Sequence, residues 1–325
     1  MRDRDCVTFL QWALPRLRMR WPGFRKVRGQ VCKRITRRMA ALEVDGVPGY
    51  EAYLEGHPEE WEVLDALCRV TVSRFLRDRG VWSLIQGEVL DTLARAAREE
   101  DREAIRCWSA GCGSGEEPYS LSLVWRLGPL PPPEGETEES PGKAQGSARH
   151  AEEAARRAED STGNADECAG ACSLASRYRD VEMLVTATDA EPEVLRRARR
   201  ATYEPGTLKE LPTCWIEEAF GAPDGGSESS VTLRPELRKG VSFLPSDIRT
   251  STPQGPFGFI LCRNLAFTYF REPLQQEVLG RLLGRLRPGG YLALGAHEEL
   301  PRGDWPLGRV KKGTPLYRHM PHAGG

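Results

Sequence analysis

The stretch 107-CWSAGCGSGEEPYSLSLVWRL-127 decides the fold, because it joins three different patterns without a break. It begins with an apolar run typical of a short buried strand and continues with three glycines and two serines within Ser109–Gly115. Two glutamates and Pro118 follow, and the chain then runs on in helical spacing. Glycine has no side chain and lets backbone approach a ligand closely. We therefore predict a strand, a tight ligand-binding turn, and a helix that begins at Glu116 or Glu117.

Strands and helices alternate from Ile105 onward. The predicted strands are AIRCWSA, EMLVTATD, FGFILCRN and GYLALGA, and the helices between them are EEPYSLSLVWRL, EPEVLRRARRA and PLQQEVLGRLLGRL. Alternation at these lengths indicates a parallel sheet covered by helices on both faces. The sequence therefore predicts an α/β fold with a doubly wound sheet.

The part of the chain before this alternation is predicted to be helical. Residues 24–69 carry apolar side chains at spacings of three and four, as in Val27, Val31, Ile35, Met39 and Leu42. The segment SRFLRDRGVWSLIQGEVLDTLARAAREE adds one or two amphipathic helices. These helices form a unit that precedes the α/β region.

Two stretches fit no element. The segment from Gly128 to Ala171 is rich in Pro, Gly, Glu, Ala and Ser, and it has too few large apolar residues to repay the entropy of ordering. We predict a disordered insertion over 128–175. The shorter GAPDGGSESS, near 221–230, is predicted to be a hairpin-like or flexible tip.

Composition limits the class of protein. The chain has 325 residues, of which 39% are hydrophobic, and this is enough for a substantial core. No apolar run approaches 18 residues, so we expect no membrane span and a cytoplasmic location. The nine cysteines include no CxxC pair, so we expect reduced thiols packed singly. Cys168 and Cys172, in the low-complexity segment, give only a weak indication of a metal site.

Basic residues dominate from Arg16 to Arg38, and Asp3 and Asp5 are the only acids before Glu43. Such a run favours an anionic partner such as nucleic acid, acidic lipid or an acidic protein helix. A helix with a solvated basic face explains the same pattern without any partner. The sequence leaves both interpretations open.

The acids around the glycine turn restrict the ligand. A phosphate-binding loop would place a lysine at the helix start, whereas Glu116 and Glu117 would repel a pyrophosphate. S-adenosylmethionine has a sulfonium, an α-ammonium and no phosphate, and it suits such a site. Asp189, at the end of the next strand, is placed to accept the ribose hydroxyls. NAD satisfies the same strand geometry and remains an alternative, and Asp189 also suits the N-cap of the helix that follows.

Four ordered blocks resemble the CheR-type chemoreceptor glutamate methyltransferases. They are WSAGCGSGEEPYSLSL, ATDAEPEVLRRARRATY, FILCRNLAFTYF and LLGRLRPGGYLALGAHE, and TVSRFLRD resembles the stretch that joins the family's two domains. The resemblance implies an N-terminal helical domain (1–75), linker helices (76–104) and a Rossmann-like class I methyltransferase domain (105–320) with a small β-subdomain at about 203–241. It also implies S-adenosylmethionine as methyl donor and a protein glutamate side chain as acceptor.

The resemblance also implies site residues. Glu117 and Asp189 match contacts to the methionine and ribose parts of the cofactor, and Asp247 and Ile248 match the adenine side. The other implied cofactor contacts are Thr71, Ser73, Arg77, Arg263 and Asn264. Arg77 and Tyr269 match catalytic positions, Arg77 reaching over the cofactor from the linker. Without the resemblance, Arg77 is explained by a surface pair with Asp78 or Glu88, and Asn264 by a turn.

The chain departs from the family pattern in three places. Thr71 stands where the family usually has asparagine, and RNLAFTYF has one residue more than the commoner RN-x-x-I-Y-F. The third departure is the long loop after WRL. Tyr269 therefore aligns with the family's active-site tyrosine only across an insertion.

Three functions are compatible with these patterns. The first is glutamate methylation on an acidic helical protein such as a chemoreceptor cytoplasmic domain, by an enzyme expected to be a monomer. The basic helix would speed encounter with that protein, and reversing Arg34, Arg37 and Arg38 would slow it. The second is methylation of nucleic acid or a small molecule, although CRNLAFTYF replaces the Asn/Asp-Pro-Pro-aromatic stretch of base methyltransferases. The third is a non-catalytic adaptor that binds S-adenosylmethionine.

Overall fold

The computed structural model describes residues 2–70, 73–130, 178, 180–222 and 230–320. Its first part consists of helices, as the apolar spacing predicts. Helix α3 illustrates the cause, because Val31, Ile35 and Met39 recur every four residues and all three are buried. The helices of this part are α1 (Asp3–Ala13), α2 (Trp21–Phe24), α3 (Arg28–Ala41), α4 (Gly46–Gly56) and α5 (Glu60–Cys68).

A disulfide joins α1 to α3. Cys6 and Cys32 are paired, and their Cα atoms lie 6.0 Å apart. Cys214 is also disulfide-bonded, whereas Cys68, Cys107, Cys112 and Cys262 are free and buried. The expectation that all cysteines are reduced is therefore wrong. Helix packing brings together two residues 26 positions apart, and sequence spacing alone does not reveal such a pair. Cys168 and Cys172 lie outside the described residues, and among the residues that the structure describes there is no cluster of potential metal ligands.

One long helical segment connects the N-terminal helices to the sheet. It comprises α6 (Arg79–Leu84), a π-helical stretch (Ile85–Leu90) and α7 (Asp91–Glu99). Trp82, Ile85, Val89 and Leu90 point into the core, so the predicted amphipathic pattern is confirmed.

Among the described residues, the central sheet has seven strands. They are β1 (Ala104–Ala110), β2 (Glu182–Asp189), β6 (Val241–Pro245), β7 (Phe257–Leu261), β8 (Leu286–Ala293), β9 (Leu307–Arg309) and β10 (Leu316–His319), in the spatial order β6-β2-β1-β7-β8-β10-β9. The first five in that order run parallel, and β10 pairs antiparallel with both β8 and β9. Strand order reverses between β1 and β7, so ligands are expected above the carboxyl ends of these strands.

Helices cover both faces of the sheet. They are α7, α8 (Glu116–Leu127), α9 (Pro192–Arg200) and α13 (Glu272–Leu283), and the short α12 (Ala266–Tyr269) precedes α13. Two hydrophobic clusters result, one on each face, and Cys107 and Trp108 on successive positions of β1 belong to different clusters. The doubly wound α/β prediction is confirmed, and the strand order is that of a Rossmann-like class I methyltransferase domain.

A second, three-stranded sheet follows α9. Its order is β3 (Thr202–Tyr203), β5 (Val231–Leu233), β4 (Phe220–Gly221), and α10 (Thr213–Ala219) and α11 (Pro235–Arg238) accompany it. Tyr203, Phe220 and Leu233 anchor this sheet to the main core. The small β-subdomain is therefore present, whereas the division of the whole chain into domains stays a prediction.

Two predicted features lie wholly or mainly outside the described residues. They are the insertion at 128–175 and the loop tip at 221–230. Within the part of the chain that the structure describes, no helix is long and apolar enough to cross a membrane.

Candidate active site

A cavity opens where the sheet's strand order reverses, at the carboxyl ends of β1, β2 and β7. The linker before α6 and parts of the N-terminal helices complete its wall. The side chains predicted for the site converge here from five separate segments of the chain: Ser73, Arg77, Glu117, Asp189, Asp247, Ile248, Arg263, Asn264 and Tyr269. Thr71 lies outside the described residues. The roles of these residues stay predictions.

The glycine turn after β1 forms the floor of the cavity. Gly111 and Gly113 both line it and have positive φ angles of 74° and 55°. A Cβ atom on Gly111 would lie 2.4 Å from Leu265 Cδ2, so the leucine would have to move, and the positive φ adds backbone strain for any other residue. The glycines therefore permit both the tight turn and the close approach of a ligand.

Asp189 links the tips of two neighbouring strands. Its Oδ2 accepts a hydrogen bond from the Gly113 N–H at 3.0 Å, and Oδ1 accepts one from the Glu191 N–H at 3.0 Å. Burial raises the pKa of this carboxyl, while the backbone N–H groups act in the opposite direction. The N-cap position of the next helix is Glu191 and not Asp189, so the capping interpretation is wrong. Each carboxylate oxygen keeps a free lone pair, and contact with a ribose hydroxyl stays a prediction.

Glu117 occupies the first turn of α8 on the cavity wall. Its Oε1 accepts a hydrogen bond from Ser109 Oγ at 2.8 Å, and Oε2 lies 3.4 Å from Arg263 Nη1. Burial raises the pKa of Glu117, and Arg263 and Ser109 oppose that shift. The carboxylate is thus fixed in one orientation before any ligand arrives.

Arg263 is a buried cation whose side chain is 2% exposed. Besides Glu117, it contacts Asp78 Oδ2 at 3.0 Å and donates to the Arg77 carbonyl at 2.6 Å. Its guanidinium also lies over the Trp82 ring, 5.4 Å from the centroid. Arg263 therefore ties the linker that carries Arg77 to the Glu117 side of the cavity.

An ion network that sequence reasoning missed supports the Asp247 side. Arg249 donates to both carboxylate oxygens of Asp247 and, at 2.6 and 2.8 Å, to those of Asp65 on α5. Burial would raise the pKa of Asp247, but the bonds from Arg249 leave it lowered. Arg69, also on the wall, pairs with Asp65 at 3.0 Å. Only the proximity of Arg249 to Asp247 was readable in sequence, because Asp65 is 184 residues away from Arg249.

Tyr269 reaches the cavity despite the additional residue in its block. The segment that follows Asn264 coils into the short helix α12, which ends at Tyr269. The phenol ring packs edge-on against Phe24, with ring centroids 5.1 Å apart. Phe24 and Met19, which sequence reasoning did not assign to the site, line the cavity with it.

Glu116 corrects part of the ligand argument, because it does not line the cavity as Glu117 does. It is 4% exposed, and its Oε2 has no hydrogen-bond partner among the described residues. Burial raises its pKa to about 7. Repulsion of a pyrophosphate at the cavity wall therefore comes from Glu117 and Asp189.

The buried position of Glu116 predicts a pH-dependent stability. A folded pKa of about 7, above the ordinary 4.5, costs nothing below pH 4.5 and destabilises the fold increasingly as pH rises to 7. Glu116→Gln removes the ionisation, so we expect the variant to gain about 3 kcal/mol of unfolding free energy over wild type between these limits. Urea unfolding at pH 4.5 and 7.5 measures this gain. Glu99→Gln, at an exposed site, serves as control, and an equal pH response in both variants would contradict the prediction.

The fold and the cavity together define a class. The parallel strands lie in the order β6-β2-β1-β7-β8, and a glycine turn follows β1. With a carboxylate in the first turn of the next helix and another at the end of β2, these are the elements of an S-adenosylmethionine site. The side chains at this site fit the cofactor, because the carboxylates of Glu117 and Asp189 can accept hydrogen bonds from its ammonium group and its ribose hydroxyls. The molecule is a class I methyltransferase.

Comparison with known proteins specifies the family. The family model described as "CheR methyltransferase, SAM binding domain" matches residues 71–127 and 168–312. The chain belongs to this family, and S-adenosylmethionine is its methyl donor.

Similar proteins agree with this assignment. The chain is 28% identical over 275 residues to the chemotaxis protein methyltransferase of Escherichia coli K12, covering 83% of this chain and 76% of that protein. It is 26% identical over 235 residues to the one of Listeria innocua, covering 72% and 68%. An uncharacterized 104.1 kDa protein of Rhodobacter capsulatus is 26% identical over 272 residues, 84% of this chain but only 23% of that protein.

Proposed function

We propose that this methyltransferase transfers a methyl group to glutamate side chains of an acidic helical protein, a chemoreceptor cytoplasmic domain. The observation that carries the proposal is the composition of the cavity. Carboxylates occupy its glycine-turn side, while Arg77 and Tyr269 line the wall formed by the linker and α12. A cationic donor is expected on the first side and an anionic acceptor on the second.

The chemistry requires alignment and no general base. S-adenosylmethionine supplies a methyl group on a sulfonium; the acceptor oxygen forms the new C–O bond as the C–S bond breaks, leaving S-adenosylhomocysteine. A glutamate carboxylate is already ionised at pH 7. The protein's task is therefore to orient the acceptor and exclude water, and positioning of this kind contributes on the order of 7 kcal/mol. Arg77 orients the carboxylate by charge-assisted hydrogen bonds, and Tyr269 packs beside the reacting methyl.

The basic residues between Arg16 and Arg38 support an acidic acceptor, although two of the three arginines first chosen for this role are not available for docking. Arg38 pairs bidentately with buried Glu60, at 2.9 and 2.6 Å, and Arg34 donates to the carbonyls of Leu67 and Arg69. These two arginines stabilise the packing of α3 on α5, so reversing their charges would disrupt that packing. Four other cations are exposed and have no acidic partner in the described ranges: Arg25, Lys26, Lys33 and Arg37.

Reversing two of these cations tests the encounter surface. We expect Lys33→Glu/Arg37→Glu to lower kcat/KM for an acidic receptor fragment about tenfold at low ionic strength, because four units of charge change. The defect should shrink in 0.5 M salt, where screening is strong. Lys311→Glu/Lys312→Glu, exposed in the β9–β10 turn, is the charge-matched control. Equal defects in both variants, or loss of S-adenosylmethionine affinity, would contradict a docking role.

A labelled-methyl assay tests the proposed activity against its competitors. Purified protein is incubated with methyl-labelled S-adenosylmethionine and, separately, chemoreceptor fragments and RNA. Label in the receptor fragment supports the proposal, whereas label in RNA, with steeply salt-dependent binding, supports nucleic-acid methylation. Cofactor binding without label in any acceptor supports an adaptor. A cytoplasmic location and a monomeric state complete the proposal.

A further inference from the structure

The segment Leu265–Tyr269 belongs to the block RNLAFTYF, which has one residue more than the pattern RN-x-x-I-Y-F. Charged residues from two other parts of the molecule form hydrogen bonds with this segment. One is Arg20, between α1 and α2. The other is Glu298, after β8. Neither residue lines the cavity. Both act on the backbone or on the hydroxyl of the segment that carries Tyr269.

Arg20 occupies the carbonyl end of this segment. Its Nε donates to the Thr268 carbonyl at 3.0 Å, Nη2 donates to the Phe267 carbonyl, and its backbone N–H donates to the Tyr269 carbonyl at 2.8 Å. Three successive carbonyls at the end of a helix are thus satisfied by a single residue 247 to 249 positions earlier. A cation is also the favoured charge at a helix C-terminus.

The approach of the two backbones is close. Met19 forms an antiparallel bridge with Phe270, and a Cβ atom on Gly23 would lie 2.4 Å from the Thr268 carbonyl oxygen. Phe24, on the same stretch, contacts the Tyr269 ring. The N-terminal stretch 19–24 therefore forms one wall around the tyrosine.

Glu298 holds the other end of the segment. Its Oε2 accepts from the N–H groups of Asn264 and Gly295 at 2.8 and 2.7 Å, and Oε1 accepts from Thr268 Oγ1 at 2.6 Å. The side chain is buried, with 5% of the residue exposed. Asn264 has a positive φ of 56°, a conformation that its bond to Glu298 helps to maintain.

We propose that Arg20 and Glu298 are positioning residues that hold Tyr269 at the acceptor side of the cavity, so that the N-terminal helices complete the active site. The inference rests on the proposed function for the role of Tyr269. It also rests on the hydrogen bonds that Arg20 and Glu298 form with the backbone and the Thr268 hydroxyl of this segment. Arg20 supplies a charged anchor outside the sheet, and Glu298 supplies one within it.

Kinetics of matched variants test this arrangement. We expect Arg20→Ala to lower kcat of methyl transfer at least tenfold while the Kd for S-adenosylmethionine changes less than twofold, because Glu117 and Asp189 are untouched. Arg20→Lys keeps the charge but loses the planar guanidinium that donates to two carbonyls at once, so its kcat should lie between those of Arg20→Ala and wild type. Glu298→Gln retains an acceptor for both N–H groups and a donor for Thr268 Oγ1. Its kcat should therefore be higher than that of Glu298→Ala. Arg18→Ala is the control, since that side chain pairs with Glu277 instead.

A double-mutant cycle shows whether the effect passes through the tyrosine. In a Tyr269→Ala background, Arg20→Ala should cost less than a further twofold in kcat. Full additivity of the two substitutions would overturn the inference, as would an Arg20→Ala rate equal to that of Arg18→Ala.

Amide hydrogen exchange separates this inference from the proposed function. Exchange in residues 264–270 of the full-length protein should rise in Arg20→Ala and stay at the wild-type rate in Arg18→Ala. Unchanged exchange would overturn the inference even if the enzyme methylates glutamate. Absence of transfer by wild type, with raised exchange in Arg20→Ala, would refute the proposed acceptor and leave the positioning contacts established.

Discussion

Replacing Arg77 by alanine is expected to lower kcat/KM for the protein acceptor about 100-fold. The reason is that a charge-assisted hydrogen bond to a carboxylate contributes roughly 2–3 kcal/mol, and this one would orient the nucleophile. Arg77 lines the cavity, and its backbone is fixed by Arg263, so the substitution removes the side chain without freeing the linker. Steady-state methyl transfer to a receptor fragment measures the loss.

The predicted pattern has a second part. The Kd for S-adenosylmethionine should change less than about fivefold, since Glu117 and Asp189 remain, and Arg77→Lys should be intermediate because it lacks the planar fork. Arg95→Ala, on the exposed face of α7, is the control. Transfer at the wild-type rate by Arg77→Ala would exclude the steering role.

Replacing Asp189 by asparagine is expected to weaken S-adenosylmethionine and S-adenosylhomocysteine alike, by about 100-fold. An amide group presents a donor to either Gly113 N–H or Glu191 N–H, where the carboxylate accepts from both. One lone pair for the ribose is lost at the same time. The combined loss of roughly 2–3 kcal/mol follows from unpaired polar groups in a buried site. Calorimetric titration with both ligands measures it.

The comparison of the two ligands is informative, because they differ in the methyl group and share the ribose. A Kd raised for one ligand only would place Asp189 away from the ribose. Asp304→Asn, at an exposed carboxylate, should bind as wild type. Affinities of Asp189→Asn within twofold of wild type would show that this carboxylate does not contact the cofactor.

Local patterns predicted the parts of the fold that local physics determines. The strand, glycine turn and helix of 104–127 follow from a short apolar run, glycines at positive φ and Pro118 in the first helical turn. The alternation of strands and helices after Ile105 then predicted the parallel sheet. Helix α1 was not predicted from its own residues, and only the resemblance implied a helical domain over 1–75. The Cys6–Cys32 pair was missed because its geometry depends on how α1 packs on α3.

The candidate site divides in the same way. Glu117 and Asp189 are recognisable because one begins the helix after the glycine turn and the other ends the next strand, at the edge of the sheet where ligands bind. Asp65, Arg20 and Glu298 had no such signal, because each acts on a segment far away in sequence through the tertiary fold. Glu116 was misassigned because adjacent residues in the first turn of a helix point in different directions.

Mass spectrometry of an acidic chemoreceptor cytoplasmic fragment, before and after incubation with the protein and S-adenosylmethionine, tests the central claim most directly. The account predicts a base-labile mass increase of one methylene on glutamate-containing peptides, absent when those glutamates are replaced by glutamine. A base-stable mark, or a mark that persists on the glutamine-substituted fragment, would contradict it.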